Sequence, residues 1–266
     1  MSWFSCYTTW VIIWVATGTA QSTVPMLTNW RKGAFDSAGI LRQRQNVLQM
    51  FTGQYTHQNG LMVLCHRGWE FNADARHLAR LLAEKGYATH LFGLQHETSQ
   101  NPEWLGYQYA HSQEDKAADP VCRKVTEFLQ SDEARGGPWF AHVGFSDVHR
   151  AWNEETDIDP ETIEVPSYLP DNPEVRKDLT HFHQNIADMD RAVGGVLNAL
   201  GDTELAESTV VIFTTDHGCP FPRAKSTFYD PGIRIPLIVH WPKGIDASRH
   251  GKLENQPGHL IDLMAT

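Results

Sequence analysis

Cysteine pairs, basic clusters and long apolar runs are all scarce in this sequence, and each absence excludes something. Its four cysteines, Cys6, Cys65, Cys122 and Cys219, include no Cys-x-x-Cys pair, so neither a structural zinc site nor a dense disulfide framework is indicated. Lys and Arg number 22 against 32 Asp and Glu, a formal net charge of −10. That balance repels a phosphate backbone and argues against nucleic acid as a partner. The apolar run Trp10–Ala16 is too short to span a bilayer, so no transmembrane segment is expected. With Gly18-Thr-Ala20 it fits the core and cleavage site of a secretory signal, but no Lys or Arg precedes Arg31 to supply the charged n-region. Residues 21–46 show no sustained helix or strand period and no Gly-rich phosphate loop.

What is present is a globular composition, 41% hydrophobic and 20% charged, with an alternating order from about Thr52 onward. Ala75, Leu78 and Leu82 share a helical face, Gly86 stops that helix, and Ala88–Phe92 reads as a strand. The unit recurs: Val121, Val125, Phe128 and Leu129 form a helical face, Gly136-Gly-Pro138 breaks it, and Trp139–Phe145 reads as a buried strand. A third helix, from about Lys177 to Leu200, leads into Thr209–Thr214, a β-branched run typical of a parallel strand covered on both faces. Pro236–Trp241 is a further strand. This order predicts an α/β fold, a mostly parallel sheet flanked by helices. The Glu-, Asp- and Pro-rich stretch from Asn153 to Asn172 reads as a long loop, a candidate lid or substrate loop.

In open α/β sheets, ligands bind beyond the carboxyl ends of the strands. Three predicted strands are each followed by a histidine: Gly93-Leu-Gln-His96, Ser146-Asp-Val-His149 and Thr215-Asp-His217-Gly218. In a continuous sheet these converge on one edge. Asp216 offers a hard anionic oxygen and His217 a neutral nitrogen, donors that suit several divalent ions. A plainer reading stands beside this one, because a histidine at a strand end is often a hydrogen-bonded loop residue and Asp-His-Gly is also a turn sequence. Lys225 reads either as an anion-binding cation or as a solvated surface charge, and Trp152 either as packing or as a sugar contact.

The residues from Ile186 to Pro242 resemble the metal-binding region of the sulfatases. Three segments carry the resemblance in order and spacing: Ala187-Asp-Met-Asp-Arg-Ala-Val-Gly194, Val210-Val-Ile-Phe-Thr-Thr-Asp-His-Gly218 and Tyr229-Asp-Pro-Gly-Ile-Arg-Ile-Pro-Leu-Ile-Val239. Thr52–Gly60 is similar to the helix that follows the sulfatase nucleophile, and Ser146-Asp-Val-His-Arg150 to the family's Asp-Pro-His-Arg loop, with Val148 in place of proline. Within the family, Pro220–Tyr229 looks most like the heparan N-sulfatases, the sulfamidases that remove sulfate from the amino group of glucosamine. The resemblance implies an alkaline-phosphatase-like fold, a formylglycine-dependent hydrolase, a bound divalent cation, usually calcium, and a sulfated carbohydrate as substrate. It assigns Asp216 and His217 as metal ligands and His149 and Lys225 as sulfate contacts. It assigns His96 as a general acid/base or sulfate-binding histidine.

The chain also departs from the family pattern. Leu94 and Gln95 stand where Gly-Lys-x-His would place a sulfate-binding lysine. The nucleophile motif, Cys or Ser followed by x-Pro-Ser-Arg, has no counterpart in Arg42–Met50. Its register falls near Gln43, whose amide cannot be oxidised to an aldehyde hydrate. The paired aspartates of the family's first strand have no counterpart either. The C-terminal residues His259–Thr266 resemble a His-x-x-Asp-Leu-Met segment inside sulfatases. The expectation is a signal peptide and irregular segment over 1–45, then a partial sulfatase-like domain over 46–266. That domain lacks the first strand region and the C-terminal subdomain, and the chain as written is without a formylglycine precursor, so membership of a sulfate-ester or sulfamate hydrolase family and activity of this chain are separate questions. A genuine signal would send it to a secreted, periplasmic or lysosomal-type compartment. Two alternatives remain open: a phosphodiester or phosphonate hydrolase of the same superfamily, and a non-catalytic relic that binds sulfated glycans.

Overall fold

The computed structural model of the protein describes residues 10–12, 39–42, 47–62, 65–111, 114–246, 248, 250 and 257–265. The strands are β1 (Trp10–Ile12), β2 (Gly39–Arg42), β3 (Ala88–Gly93), β4 (Tyr109–His111), β5 (Trp139–Gly144), β6 (Val211–Thr214), β7 (Arg234–His240) and β8 (Pro257–Gly258). The helices are α1 (Val47–Thr52), α2 (Thr56–Asn59), α3 (Leu78–Glu84), α4 (Ala118–Gln130), α5 (Asp132–Arg135), α6 (Pro173–Gly201), α7 (Asp230–Ile233) and α8 (Asp262–Ala265). Strands β4-β3-β5 form a wholly parallel sheet. The order β1-β6-β7-β2-β8 makes a second sheet, and β1 packs against β5 where the two adjoin.

Period-two alternation sorts the strand side chains to the two faces. Phe92, Trp139, Ala141, Val143, Val211 and Phe213 enter a core shared with α4 and α6. Leu91, Phe140, Ile212, Ile235 and Leu237 enter a second core that holds Met50 and Phe51 of α1 and Leu78 and Ala79 of α3. Burial on both faces explains the near-continuous apolar runs in these strands. The helix expected from Lys177 begins four residues earlier, because Pro173 occupies the first turn and the Asn172 side chain accepts the Val175 N–H at 2.9 Å.

Two expectations change. Thr209–Thr214 was expected to pair in parallel, yet β6 runs antiparallel to both β1 and β7. The apolar run reported burial, not direction, and the β6–β7 connection holds only the single-turn α7, so the chain reverses without a crossover helix. The N-terminal stretch also contributes strands: Trp10–Ile12 pairs with β6 and Gly39–Arg42 with β7 and β8. Elements of three and four residues are too short to show a period. The long loop is anchored, not a loose cover. Ile163 and Leu169 are buried in the core, and Arg176 donates to the carbonyls of Pro160 and Ile163 at 3.0 and 3.1 Å.

Beneath β3 and β5 lies a fully buried polar group of Glu97, His142, Tyr107 and His77. The Tyr107 hydroxyl shares a 2.8 Å hydrogen bond with His142 Nδ1, and Glu97 Oε1 is 3.8 Å from the same nitrogen. Burial pushes Glu97 up to about 8 and His142 down to about 3, so at neutral pH the contact joins two neutral groups instead of an ion pair. His77, and His90 on the other face, are likewise held below the ordinary imidazole range by desolvation. The signs are opposed. The histidines contribute stability that is complete above about pH 6.5 and lost on acidification. Glu97 contributes stability that is complete below its ordinary value and lost as pH rises toward about 8. Between the ordinary carboxylate value and about pH 8 the Glu97 contribution falls with a slope of about 1.4 kcal/mol per pH unit, superposed on the opposite slope of the histidines. Chemical denaturation is expected to show the parent chain losing stability relative to Glu97→Gln by about that slope from about pH 6.5 to 8.

Candidate functional site

The parallel ladder of β3 and β5 runs in register to Gly93 opposite Gly144, so the segments leaving both strands start from the same sheet edge. His96 stands three residues beyond β3, half-buried. Beyond β5, Asp147 accepts the N–H of Ala118 at the start of α4 and Ser146 N–H donates to the Lys116 carbonyl at 2.7 Å. These bonds shape the turn that presents His149.

The segment leaving β6 supplies the remaining groups. Gly218 is required there by close approach: a Cβ at this position would lie 1.7 Å from the Pro231 carbonyl oxygen. The Gly218 N–H in turn donates to the Gly232 carbonyl at 3.1 Å. Asp216 Oδ2 lies 3.4 Å from His217 Nε2, and both side chains are mostly buried. The plain turn reading is thus half right, because the turn exists but aims its acid and imidazole at each other.

The structure brings His149 and Lys225 together. Lys225 Nζ lies 3.2 Å from His149 Nε2, and His149 Nδ1 is bonded to the Arg150 carbonyl. The carbonyl can only accept, so Nδ1 carries the proton and Nε2 receives the lysine N–H. Burial depresses the Lys225 ammonium, opposed by the Asp216 charge. His217 is also lowered, chiefly by burial and further by the Lys225 charge, against the raising influence of Asp216 and of the Gly218 carbonyl. Four of the five expected residues, Asp216, His217, His149 and Lys225, therefore form one electrostatically coupled cluster, with His96 placed on the adjoining strand end.

Sequence reasoning missed the scaffold of this cluster. Arg150 makes a two-pronged ion pair with Asp178 of α6, with Nη1 3.0 Å from Oδ1. The Trp152 indole N–H donates to the same carboxylate at 2.6 Å, which assigns Trp152 to this packing. Arg150 was visible in the Asp-Val-His-Arg segment, but nothing local marks Asp178 as its partner 28 residues away. A separate cleft of about 930 Å³, lined by Asp119, Asp147, Glu154, Asp157, Asp188 and Arg191 among others, includes neither His149 nor Lys225 in its walls.

Comparison with known proteins matches residues 45–266 to the sulfatase family model. Human N-sulphoglucosamine sulphohydrolase is 30% identical over 252 residues, covering 82% of this chain and 49% of the human protein. The chain thus spans about half the length of that relative. Among solved structures, a Bacteroides thetaiotaomicron protein studied for metabolism of multiple glycosaminoglycans superposes with TM-score 0.69 at 18% identity, over 87% of this chain and 62% of that one. A phosphonate monoester hydrolase of Agrobacterium radiobacter gives TM-score 0.62 at 16% identity, over 93% and 69%. These superpositions establish the alkaline-phosphatase-like fold.

The implied cation meets a partial donor set. His217 Nδ1 lies 2.7 Å from the Gly218 carbonyl and gives it its proton, so Nε2 presents a lone pair toward Asp216. Two acceptors facing each other suit a cation. Among the described residues, however, no three His, Cys, Asp or Glu side chains form a group able to hold a metal, whereas calcium takes six to eight oxygen ligands. The position of the formylglycine, near Gln43, lies outside the described residues. Excess calcium is therefore expected to move the melting temperature of this chain by no more than about a degree relative to chelator, as read by differential scanning calorimetry. A clear rise would mean that further ligands complete the set.

Proposed function

Because this chain belongs to the sulfatase family, we propose that Lys225, oriented by His149 beside the Asp216–His217 pair, holds the sulfuryl group of a sulfated sugar, as part of a sulfate-ester or sulfamate hydrolase. The observation that carries this reading is the 3.2 Å Lys225–His149 contact beside the buried Asp216–His217 pair. Lys225 supplies positive charge for the sulfuryl oxygens, and partial burial strengthens that attraction by excluding water. His149, its Nδ1 proton committed to a carbonyl, orients the ammonium through Nε2. His96, at the adjoining strand end, is the acid/base candidate for the leaving group. The name of the human relative, N-sulphoglucosamine sulphohydrolase, supports an N-sulfated glucosamine as the sugar.

With an amide at the register of the nucleophile, the chain as written should bind without turnover. Entry into the secretory route is part of the same proposal, supported by the apolar run Trp10–Ala16, acting as a signal that stays attached because Trp10–Ile12 pairs with β6. No described helix is long and apolar enough to cross a membrane.

Titration calorimetry with N-sulfoglucosamine and with glucosamine tests the reading. The sulfated sugar is expected to bind, glucosamine to bind much more weakly, and Lys225→Met to cut affinity roughly tenfold, the scale of one lost charge-assisted contact. Released sulfate should stay at the buffer level. Equal affinity for the two sugars would overturn the assignment, and hydrolysis of a phosphonate monoester would transfer it to that chemistry.

A further inference from the structure

We infer that Arg150 is a positioning residue that locks the loop bearing His149 to the loop bearing Lys225, and both to α6. The inference takes its significance from the anion-site reading above, but its geometry stands independently. Three ties leave one guanidinium in three directions. Nε donates to the Pro220 carbonyl in the Lys225 loop at 3.0 Å. Nη1 and Nη2 donate to the two carboxylate oxygens of Asp178 on α6. The planar face rests over Trp152 and Phe221, 4.9 and 5.0 Å from their ring centroids. Those rings are themselves held: Trp152 and Phe221 each pack on Phe182 of α6 with centroids 5.3 Å apart.

The loops need such a tie because their backbones do not favour the shapes they hold. Val148, immediately before His149, has φ 67°, and Arg223 and Ser226, flanking Lys225, have φ 61° and 65°. For a β-branched residue the left-handed region is markedly unfavourable. An isolated surface ion pair contributes little. This one is two-pronged, backed by aromatic faces and shared with a carbonyl of the second loop. Lysine cannot reproduce that fork, though it keeps the charge.

The test is hydrogen–deuterium exchange on the full chain, comparing the parent with Arg150→Lys and with Asp178→Asn, which keeps the aromatic contacts of Arg150. Both variants are expected to speed exchange by about fivefold or more in residues 146–152 and in 218–227 together, with β3 and α4 unchanged. Affinity for inorganic sulfate should fall several-fold in the same variants. Unchanged exchange in both loops, or loosening confined to 146–152, would overturn the inference. Coupled loosening in a parent chain that fails to bind sulfate would uphold the lock and reject the anion-site reading, so the two fail separately.

Discussion

A single 3.2 Å contact between Lys225 and His149 joins segments 76 residues apart in sequence, and the character of the site depends on it. The contact requires His149 to be neutral with its proton on Nδ1, and the Arg150 carbonyl enforces that tautomer. It requires Lys225 to be charged while partly buried, and Asp216 supports that charge against desolvation. The cluster therefore balances one cation, one carboxylate and two imidazoles, His149 held neutral by its hydrogen bonds and His217 kept low chiefly by burial. Such a balance places a positive lysine beside a negative aspartate without letting them collapse into a closed pair, because each already has another partner.

Rigidity on the opposite side of the sheet serves the same end. The β3–β5 ladder fixes where both strands release their chains, and its last pair is Gly93 with Gly144. Gly93 adopts φ 74°, and a Cβ there would lie 2.3 Å from the Gly144 carbonyl, so the two strands stay paired to the sheet edge only with glycine at that position. Directly beneath, Glu97 and His142 occupy core volume as neutral groups. A charge on either would have to be desolvated without a counter-charge, at a cost of several kcal/mol.

Much of this was legible in the residues. The faces of α3 and α4 followed from periodicity, and α6 and the apolar runs of β3, β5 and β7 were read with boundaries off by a few residues. The strand-end rule pointed to His149, Asp216 and His217 before any geometry was known, and the family resemblance added a role for Lys225. Direction of pairing was not legible, since Val211–Thr214 would read the same beside parallel or antiparallel neighbours. Nor were β1 and β2, each too short for a pattern. The partnership of Arg150 with Asp178 lay deeper still. It is set by where α6 passes, a property of the packed fold that neither sequence segment carries alone.

The charge distribution shapes how such a site can recognise an anion. The formal net charge is −10, and the cleft that Asp147 lines adds Asp119, Glu154, Glu155, Asp157 and Asp188 to it against Arg191. A field of that sign does not steer a polyanion inward; it repels one over distances up to a Debye length, about 8 Å at physiological ionic strength. Attraction at Lys225 must then act at contact range, where partial burial lowers the local dielectric and the single cation counts most. On the proposed reading, a ligand with one sulfuryl group seated on Lys225 and a largely neutral remainder meets both conditions, whereas a densely charged one would place its further charges against the acidic wall.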